Sequence, residues 1–169
     1  MVPRQTSGAL PWLWLSLVVI ALDQVTKHVA LGALSPYEPQ AVIPDVLNWT
    51  LAFNRGAAFS FLAGEDGWQR WLFTTLAIGV SAMLAYWLAR TPRRDWRNAL
   101  PLALIIGGAI GNLVDRVRFG HVTDFIQVHW RDDWFFPAFN VADSAISVGA
   151  VLLVLFGFVL GGKAQPKSG

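Results

Sequence analysis

Residues 139–162 read FNVADSAISVGAVLLVLFGFVLGG, and this stretch decides the fold class. From Ser144 to Gly162 it contains no charged residue. A helix of about 20 such residues crosses the roughly 30 Å hydrocarbon core of a membrane. One carboxylate, Asp143, stands at the mouth of the run. Because an acid at the edge of a membrane is costly unless it is paired or functional, Asp143 is the first candidate for a functional group.

Three further apolar stretches are long enough, or nearly so, to cross a membrane. The predicted spans are residues 12–34, 71–89, 98–115 and 140–162. The chain has 169 residues, of which 54% are hydrophobic, so it is too short for several domains and too apolar for an ordinary soluble one. The first stretch has no convincing small-residue cleavage site, and we expect it to stay in the mature chain. The sequence therefore predicts one mainly α-helical membrane domain, residues 1–169, with four transmembrane helices.

The basic residues predict how these spans are oriented. They lie at the N-terminus, between the second and third spans, and at the C-terminus: Arg4, Arg90, Arg93, Arg94, Arg97, Lys163 and Lys167. Short loops rich in Lys and Arg stay in the cytoplasm, so we expect both termini inside and residues 35–67 and 115–139 outside. The isoelectric point of 9.4 could suggest nucleic-acid binding. The net charge is only +2, however, and a membrane surface explains the basic residues better.

The two outer connections carry strand patterns. VLNWTLAF alternates and leads into the turn signal Asn54-Arg55-Gly56, after which AAFSF resumes the apolar character, so a hairpin is expected there. A second alternating stretch runs from His121 to Trp130. We expect a small extracytoplasmic β-sheet resting on the membrane surface. The alternative is irregular loops with a belt of aromatic residues.

Asp124 lies 19 residues before Asp143, in the segment HVTDF, so two acids can converge at one membrane face. Two close carboxylates share one proton, and with a water molecule they can cleave a peptide bond. The chain has no cysteine, which removes thiol nucleophiles and thiolate metal sites. A metal cluster of His121, Asp124, His129 and Asp132 is disfavoured because residues i and i+3 of a strand point to opposite faces. A small transporter with Asp143 as an ion or proton relay is the main alternative.

Other polar residues near the spans fall on common helix faces. Asn140, Asp143, Ser144 and Ser147 share one stripe. Asp23 and Lys27 are four residues apart and are expected to form a structural ion pair. The pair Asp115-Arg116 is open to interpretation as a helix terminus that meets water. Gly107 with Gly111, and Gly157 with Gly161, have the spacing that lets a neighbouring helix approach closely.

These residues occur in five ordered blocks that resemble the bacterial lipoprotein signal peptidase family, signal peptidase II, whose members are intramembrane aspartic peptidases. The blocks are DQVTK from Asp23, NRGAAF from Asn54, GGAIGNLVDR from Gly107, VTDF from Val122 and FNVADS from Phe139. Each block alone is a weak signal, but five in this order are highly specific. The resemblance extends from residue 23 to residue 144.

The resemblance implies an endopeptidase that removes the signal peptide from prolipoproteins, cutting before a substrate cysteine that carries diacylglycerol. Its catalytic pair falls on Asp124 and Asp143. The supporting and substrate-binding positions fall on Asn112, Asn140, Arg116, Asp115, Asn54, Gly56, Asp23 and Lys27. Asn112 and Asn140 are expected to hold the carboxylates, and Arg116 to pair with Asp115 or meet lipid phosphate.

The resemblance also implies a location and a set of partners. The site is expected near the outer face of the bacterial inner membrane, with prolipoproteins and phospholipid as partners. A cyclic peptide inhibitor of the globomycin type is expected to occupy the same cleft. No metal, cofactor or nucleic acid is expected, and the chain is expected to be a monomer.

Overall fold

The computed structural model describes residues 8–56 and 68–159, which form a helical bundle with a small sheet at one end. The helices are α1 (Leu13–Ala33), α2 (Trp68–Arg90), α3 (Trp96–Phe119) and α4 (Val141–Val154). The strands are β1 (Gln40–Ile43), β2 (Leu47–Asn54), β3 (Val122–Trp130) and β4 (Trp134–Phe135). A 3-10 turn, Leu10–Trp12, precedes α1, and a π-helical turn, Leu155–Val159, follows α4.

Within residues 8–56 and 68–159, three helical stretches are long and apolar enough to cross a membrane. They are Leu10–Ala33, Arg70–Arg90 and Trp96–Phe119, and the first two match the predicted spans closely. The apolar helix that consists of α4 and the residues directly after it, Val141–Gly157, is shorter. The predicted fourth span, 140–162, continues beyond the described residues, so the count of four spans stays a prediction.

α3 is longer at its C-terminal end than the sequence predicts. Asp95 caps its start, where the side chain accepts a hydrogen bond from the Asn98 backbone N–H at 3.4 Å. The helix ends at Gly120, whose φ of 78° is the left-handed conformation that glycine adopts readily. Asp115 therefore lies inside the helix and is only 2% exposed. The interpretation of Asp115-Arg116 as a helix terminus that meets water is wrong.

The bundle is built around α3, which packs against α1, α2 and α4. Close contact is possible because α3 carries glycines where its neighbours cross: a Cβ at Gly107 would lie 2.8 Å from Val19 Cβ, and one at Gly108 would collide with the Ala142 carbonyl. The predicted close approach at Gly107 and Gly111 is confirmed. Gly157 has no neighbour within 4 Å among the described residues, and Gly161 lies outside them.

The apolar core lies in the half of the bundle away from the sheet. Leu84 and Leu88 of α2 pack there against the N-terminal half of α3, including Leu102 and Ile106. The C-terminal half of α3 instead carries the buried polar residues Asn112 and Asp115. This division separates a part of the fold that is held by packing from a part that holds polar groups.

The sheet is antiparallel throughout, with the strand order β1-β2-β3-β4. The predicted strand at His121 to Trp130 is confirmed as β3. The hairpin seen in the described residues differs from the predicted one, because β2 is preceded by β1 and the tight turn lies around Asp45, where φ is 65°. Asn54 and Gly56 come at the end of β2, and the predicted partner strand, residues 57–61, lies outside the described residues.

Candidate active site

Asp143 is fixed in the first turn of α4 by a capping box. The Asn140 side chain caps the helix and accepts a hydrogen bond from the Asp143 backbone N–H at 2.9 Å. In return, Asp143 Oδ2 accepts the Asn140 backbone N–H at 3.3 Å. The helix N-terminus also favours a negative charge at this position. Local sequence alone is therefore enough to orient this carboxylate.

Asp124 reaches the same place from β3. The backbone N–H groups of Phe125 and Ile126 donate to the Phe139 carbonyl at 3.0 and 2.9 Å, which ties β3 to the residue before the α4 cap. Asn140 Nδ2 donates to Asp124 Oδ1 at 2.7 Å, and Asp124 is 3% exposed. One residue, Asn140, thus bonds both predicted acids, which come from different elements.

Asn112 of α3 supplies a second amide to the pair. Its Nδ2 donates to Asp143 Oδ1 at 2.7 Å. Its Oδ1 accepts from Lys27 Nζ at 2.9 Å and from Asn140 Nδ2 at 3.2 Å. The hydrogen bonds from Asn112 and Asn140 to the acids agree with the expectation that these residues hold the carboxylates.

A buried ionic cluster lies behind the two amides. Lys27 Nζ is 2.8 Å from Asp23 Oδ2 and 3.0 Å from Asp115 Oδ2, and all three side chains are 3% exposed or less. Asp115 also accepts from Gln24 Nε2 at 2.9 Å and from the Thr123 backbone N–H at 3.0 Å. The predicted ion pair of Asp23 and Lys27 is confirmed.

Arg116 is placed differently from one expectation. Asp115 forms its salt bridge with Lys27 instead of with Arg116. Arg116 Nη1 donates weakly to the Asn112 carbonyl at 3.4 Å, and its guanidinium lies 5.5 Å from the centre of the Phe73 ring. Gln24 was not singled out by sequence reasoning, although it lies within the DQVTK block. Its contacts to Asp115 and to the Gly111 carbonyl depend on the packing of α1 against α3.

Two cavities meet at the acids. The first, of about 600 Å³, is mainly apolar and includes Asp143, Asn112 and Arg116 in its lining. The second, of about 680 Å³, is more polar and includes Asp124 and His121. They share four lining residues: Asn54, Gly56, Pro137 and Ala138. The acids therefore lie where an apolar cavity and a polar one adjoin.

The environment of Asp124 favours a bound proton. Burial, followed by the charge of Asp143, raises the pKa of Asp124 from 3.8 to about 7, against hydrogen bonds from Asn140 and Asn54 and the charge of Lys27, which lower it. Burial also lowers the pKa of His121, whose ring contacts Phe53 with the ring centres 4.6 Å apart. An acid that titrates near neutral pH suits proton transfer.

The alternative metal ligands do not converge. Within residues 8–56 and 68–159, no three His, Asp or Glu side chains form a group that could hold a metal ion. His129 instead has its Nδ1 2.7 Å from the Arg131 carbonyl oxygen and stacks on Phe135. His121 lies before the other end of β3, in the lining of the cavity that contains Asp124.

Fold and site together define a helical membrane protein with a buried and a partly buried carboxylate side by side beneath a small sheet. Residues 15–159 match the profile of the signal peptidase II family. The chain belongs to this family.

Relatives and solved structures agree with this assignment. The lipoprotein signal peptidase of Pseudomonas syringae pv. tomato is 60% identical over 148 residues, 88% of this chain and 86% of that protein. The lipoprotein signal peptidase of Pseudomonas aeruginosa strain PAO1 is 58% identical, over 88% of each chain. A bacterial membrane enzyme solved by the in meso method at 2.3 Å superposes with a TM-score of 0.80 at 26% identity, over 98% of this chain and 99% of that one. Another, at 1.9 Å, has a TM-score of 0.73 at 28% identity, over 95% of this chain and 100% of that one.

Proposed function

We propose that this chain is an aspartic endopeptidase that removes the signal peptide from lipoprotein precursors, with Asp124 and Asp143 as its catalytic pair. Family membership and relatives named as lipoprotein signal peptidases support the reaction. One observation carries the choice of residues: a buried acid from β3 and a partly buried acid from α4 are both bonded to Asn140 at the meeting point of two cavities.

The chemistry needs one ionised and one protonated acid. The carboxylate takes a proton from a bound water, and the water oxygen attacks the scissile carbonyl carbon. The protonated acid hydrogen-bonds the carbonyl oxygen, after which the C–N bond breaks as the leaving amine receives a proton. No covalent acyl-enzyme forms. The pKa of Asp124, near 7, keeps a proton available to the pair at neutral pH.

The two cavities suit a substrate that is apolar on one side of the cut and polar on the other. The apolar segment of a signal peptide fits the first cavity, between α3, α4 and residues 136–139. The chain after the cut leaves through the second cavity, which is lined by Tyr37, Arg55 and His121. Asn54 and Gly56 line both, where the backbone of a substrate would cross. The diacylglyceryl chains of the substrate cysteine stay in the surrounding lipid.

The location follows from the same assignment. The site residues that come from helices lie at the end of the bundle that carries the sheet. We assign this end of the bundle to the outer face of the inner membrane. The continuation of α4 forms the fourth span, and both termini are cytoplasmic. The chain acts as a monomer among phospholipids, and a globomycin-type cyclic peptide occupies the cleft in place of substrate.

The test uses the purified protein with one synthetic prolipoprotein, prepared with and without the diacylglyceryl group on its cysteine. Mass spectrometry of the products should show cleavage immediately before the cysteine, and only in the lipidated substrate. Equal cleavage of both forms would remove the lipid requirement. No cleavage of either form, with proton-coupled flux in reconstituted vesicles, would favour a transporter.

A further inference from the structure

Lys27 makes three polar contacts that use its whole donor capacity. Its Nζ lies 2.8 Å from Asp23 Oδ2, 3.0 Å from Asp115 Oδ2 and 2.9 Å from Asn112 Oδ1. An ammonium group has three N–H donors and no acceptor. The atom of Asn112 that faces Lys27 must therefore be the amide oxygen.

This contact fixes the amide of Asn112 in one of its two orientations. With the oxygen held by Lys27, the Nδ2 group points at Asp143 Oδ1, 2.7 Å away. A flipped amide would place oxygen against oxygen at Asp143 and an N–H against the Lys27 ammonium. Amide orientation is normally ambiguous, but here a donor-only neighbour decides it.

Both oxygens of Asp143 therefore face N–H donors. Oδ1 accepts from Asn112, and Oδ2 accepts from the Asn140 backbone N–H, which cannot act as an acceptor. The position also lies in the first turn of the 14-residue helix α4, where a negative charge is stabilised. These contacts suit a carboxylate that has no proton.

Asp124 is held less strongly as an anion. The Asn140 Nδ2 group has two hydrogens, yet it faces three acceptors: Asp124 Oδ1, Asn112 Oδ1 and the Thr123 carbonyl. Asp124 also lies on a strand, and unlike Asp143 it does not belong to the first turn of a helix. Burial is the largest cause that raises its pKa to about 7, which also favours the protonated form.

We propose that Lys27 is a positioning residue that divides the roles of the two acids: through Asn112 it holds Asp143 ionised as the base, and it leaves the shared proton on Asp124. The inference rests on the proposed function. In the reaction, Asp143 takes a proton from water while the water oxygen bonds to the carbonyl carbon, and Asp124 gives its proton to the carbonyl oxygen. The C–N bond then breaks as Asp143 protonates the amine, and Asp124 recovers a proton from the new carboxyl group.

The charged groups near the pair come from two helices and from the residues that flank two strands. They are Asp23 and Lys27 of α1, Asp115 and Arg116 of α3, Arg55 after β2 and His121 before β3. Removal of Lys27 alone would change the local charge as well as the Asn112 contact. The double variant Asp23→Asn/Lys27→Met removes one negative and one positive charge together, so it removes the hydrogen bond to Asn112 without a change in the net charge of the cluster, although Asp115 also loses its ion pair.

The experiment measures kcat/KM for the lipidated precursor against pH, with wild-type protein, Lys27→Gln, Lys27→Met and the double variant. Loss of the Asn112 contact should make Asp143 harder to ionise. In Lys27→Met and in the double variant, the acid limb should move to higher pH by about one unit, a tenfold change in proton affinity. Lys27→Gln keeps an N–H donor, and its acid limb should move less.

A purely structural role for Lys27 predicts a different result. Activity would then follow the folded fraction, measured by thermal melting on the same preparation, and the pH profile would stay where it is. An unshifted profile in the folded double variant would overturn the inference, as would equal shifts in Lys27→Gln and Lys27→Met. Arg94→Met, the loss of one exposed charge far from the site, is the matched control and should behave as wild type. Failure of the proposed function is distinct, because the wild-type protein itself would then not cleave.

Discussion

At the residue scale, the site depends on amides as much as on acids. Asn140 caps α4, bonds Asp124 and bonds Asn112, while Asn112 connects the buried ion pairs to Asp143. Neither amide can take up or release a proton at neutral pH, so each fixes geometry without titrating. Asp124 and Asp143 are the titratable residues that Asn140 bridges by hydrogen bonds.

Replacement of either acid by its amide tests the catalytic assignment. Asp124→Asn and Asp143→Asn should each lower cleavage at least about 100-fold, because an amide cannot accept a proton from water or donate one as an acid. Both changes are nearly isosteric, so insertion and folding should persist. Cleavage assays on purified protein measure the loss.

The matched controls are Asp132→Asn and Asp133→Asn, two exposed acids between β3 and β4. They should retain nearly full activity. Near-normal turnover in either Asp124→Asn or Asp143→Asn would show that the assignment of that residue is wrong.

The raised pKa of Asp124 makes stability depend on pH. An acid whose pKa is raised from 3.8 to about 7 by folding stabilises the protein fully below its ordinary pKa, and this contribution is lost as pH rises through 7. In Asp124→Asn the group stays neutral at every pH. Thermal melting should therefore show a wild-type midpoint that falls relative to the variant between about pH 4 and pH 7, by an amount equivalent to a few kcal/mol at most. A constant difference across this range would contradict the raised pKa.

At the element scale, the site depends on how closely α3 approaches its neighbours. Gly111 lies against Asp23, where an added Cβ would be 2.7 Å from Oδ2, and Gly108 lies against the start of α4. These contacts let Ala142 donate its backbone N–H to Asp23 Oδ1 at 3.0 Å, which joins α4 to the ionic cluster. The close packing of α3 against α1 and α4 thus brings Asp23 within hydrogen-bond distance of the start of α4.

Two glycine variants test the close approach of α3 to its neighbouring helices. Gly108→Ala should destabilise the protein by about 1–3 kcal/mol, because the new Cβ collides with the Ala142 carbonyl and backbone must shift. Cleavage should fall as well, since α4 carries Asp143. Gly79→Ala on α2 is the control: it meets no atom within 4 Å, and alanine is the better helix former, so stability should stay equal or rise slightly. Equal melting temperatures for the two variants would argue against a close contact between α3 and α4 at Gly108.

Periodicity and hydropathy predict an element well where its residues follow one simple pattern, either a long apolar run or alternation. Long apolar runs predicted α1 and α2 because a membrane-spanning helix needs about 20 apolar residues, and alternation predicted β3 because successive side chains of a strand point to opposite faces. The end of α3 was missed because Asp115 and Arg116 are charged, and only the contacts of Asp115 with Lys27 and Gln24 explain its burial. β1 was missed because it has only four residues and all of them are exposed.

Motifs found the candidate site residues better than they found their partners. Asp124, Asp143, Asn112 and Asn140 form one hydrogen-bonded group. The backbone groups that complete it, at Thr123, Phe139 and Ala142, have no sequence signal, since every residue carries the same N–H and carbonyl. Only the register of β3 and the packing of α4 bring them to the site.

At the scale of the whole molecule, the polar groups are gathered at one end of an otherwise apolar bundle. The C-terminal halves of α1 and α3 and the N-terminal turn of α4 all contribute to this end, and the sheet covers it. The opposite end holds the packed core and the arginine-rich loop between α2 and α3. Chemistry and topology are therefore linked: the side of the membrane that the loop occupies decides which side the site faces.

Reporter fusions test this orientation. A reporter after Lys163 should be cytoplasmic, and one inserted near Glu65 should be outside, because short loops rich in arginine, such as residues 90–97, tend to stay in the cytoplasm. Neutral replacements of these four arginines should weaken the orientation. An external C-terminus in the unaltered protein would mean that the number of spans is not four.

The ion pair of Asp23 and Lys27 bears on how the protein enters the membrane during synthesis. Its two members are one helical turn apart on α1, so the pair can close within that helix alone, before α3 is made. The nascent helix thus meets lipid with its opposite charges already joined. Asp115 arrives later with α3 and finds the Lys27 ammonium in place. The order of synthesis is also the order in which the buried charges acquire their partners, so insertion of the N-terminal helix does not have to wait for the rest of the chain.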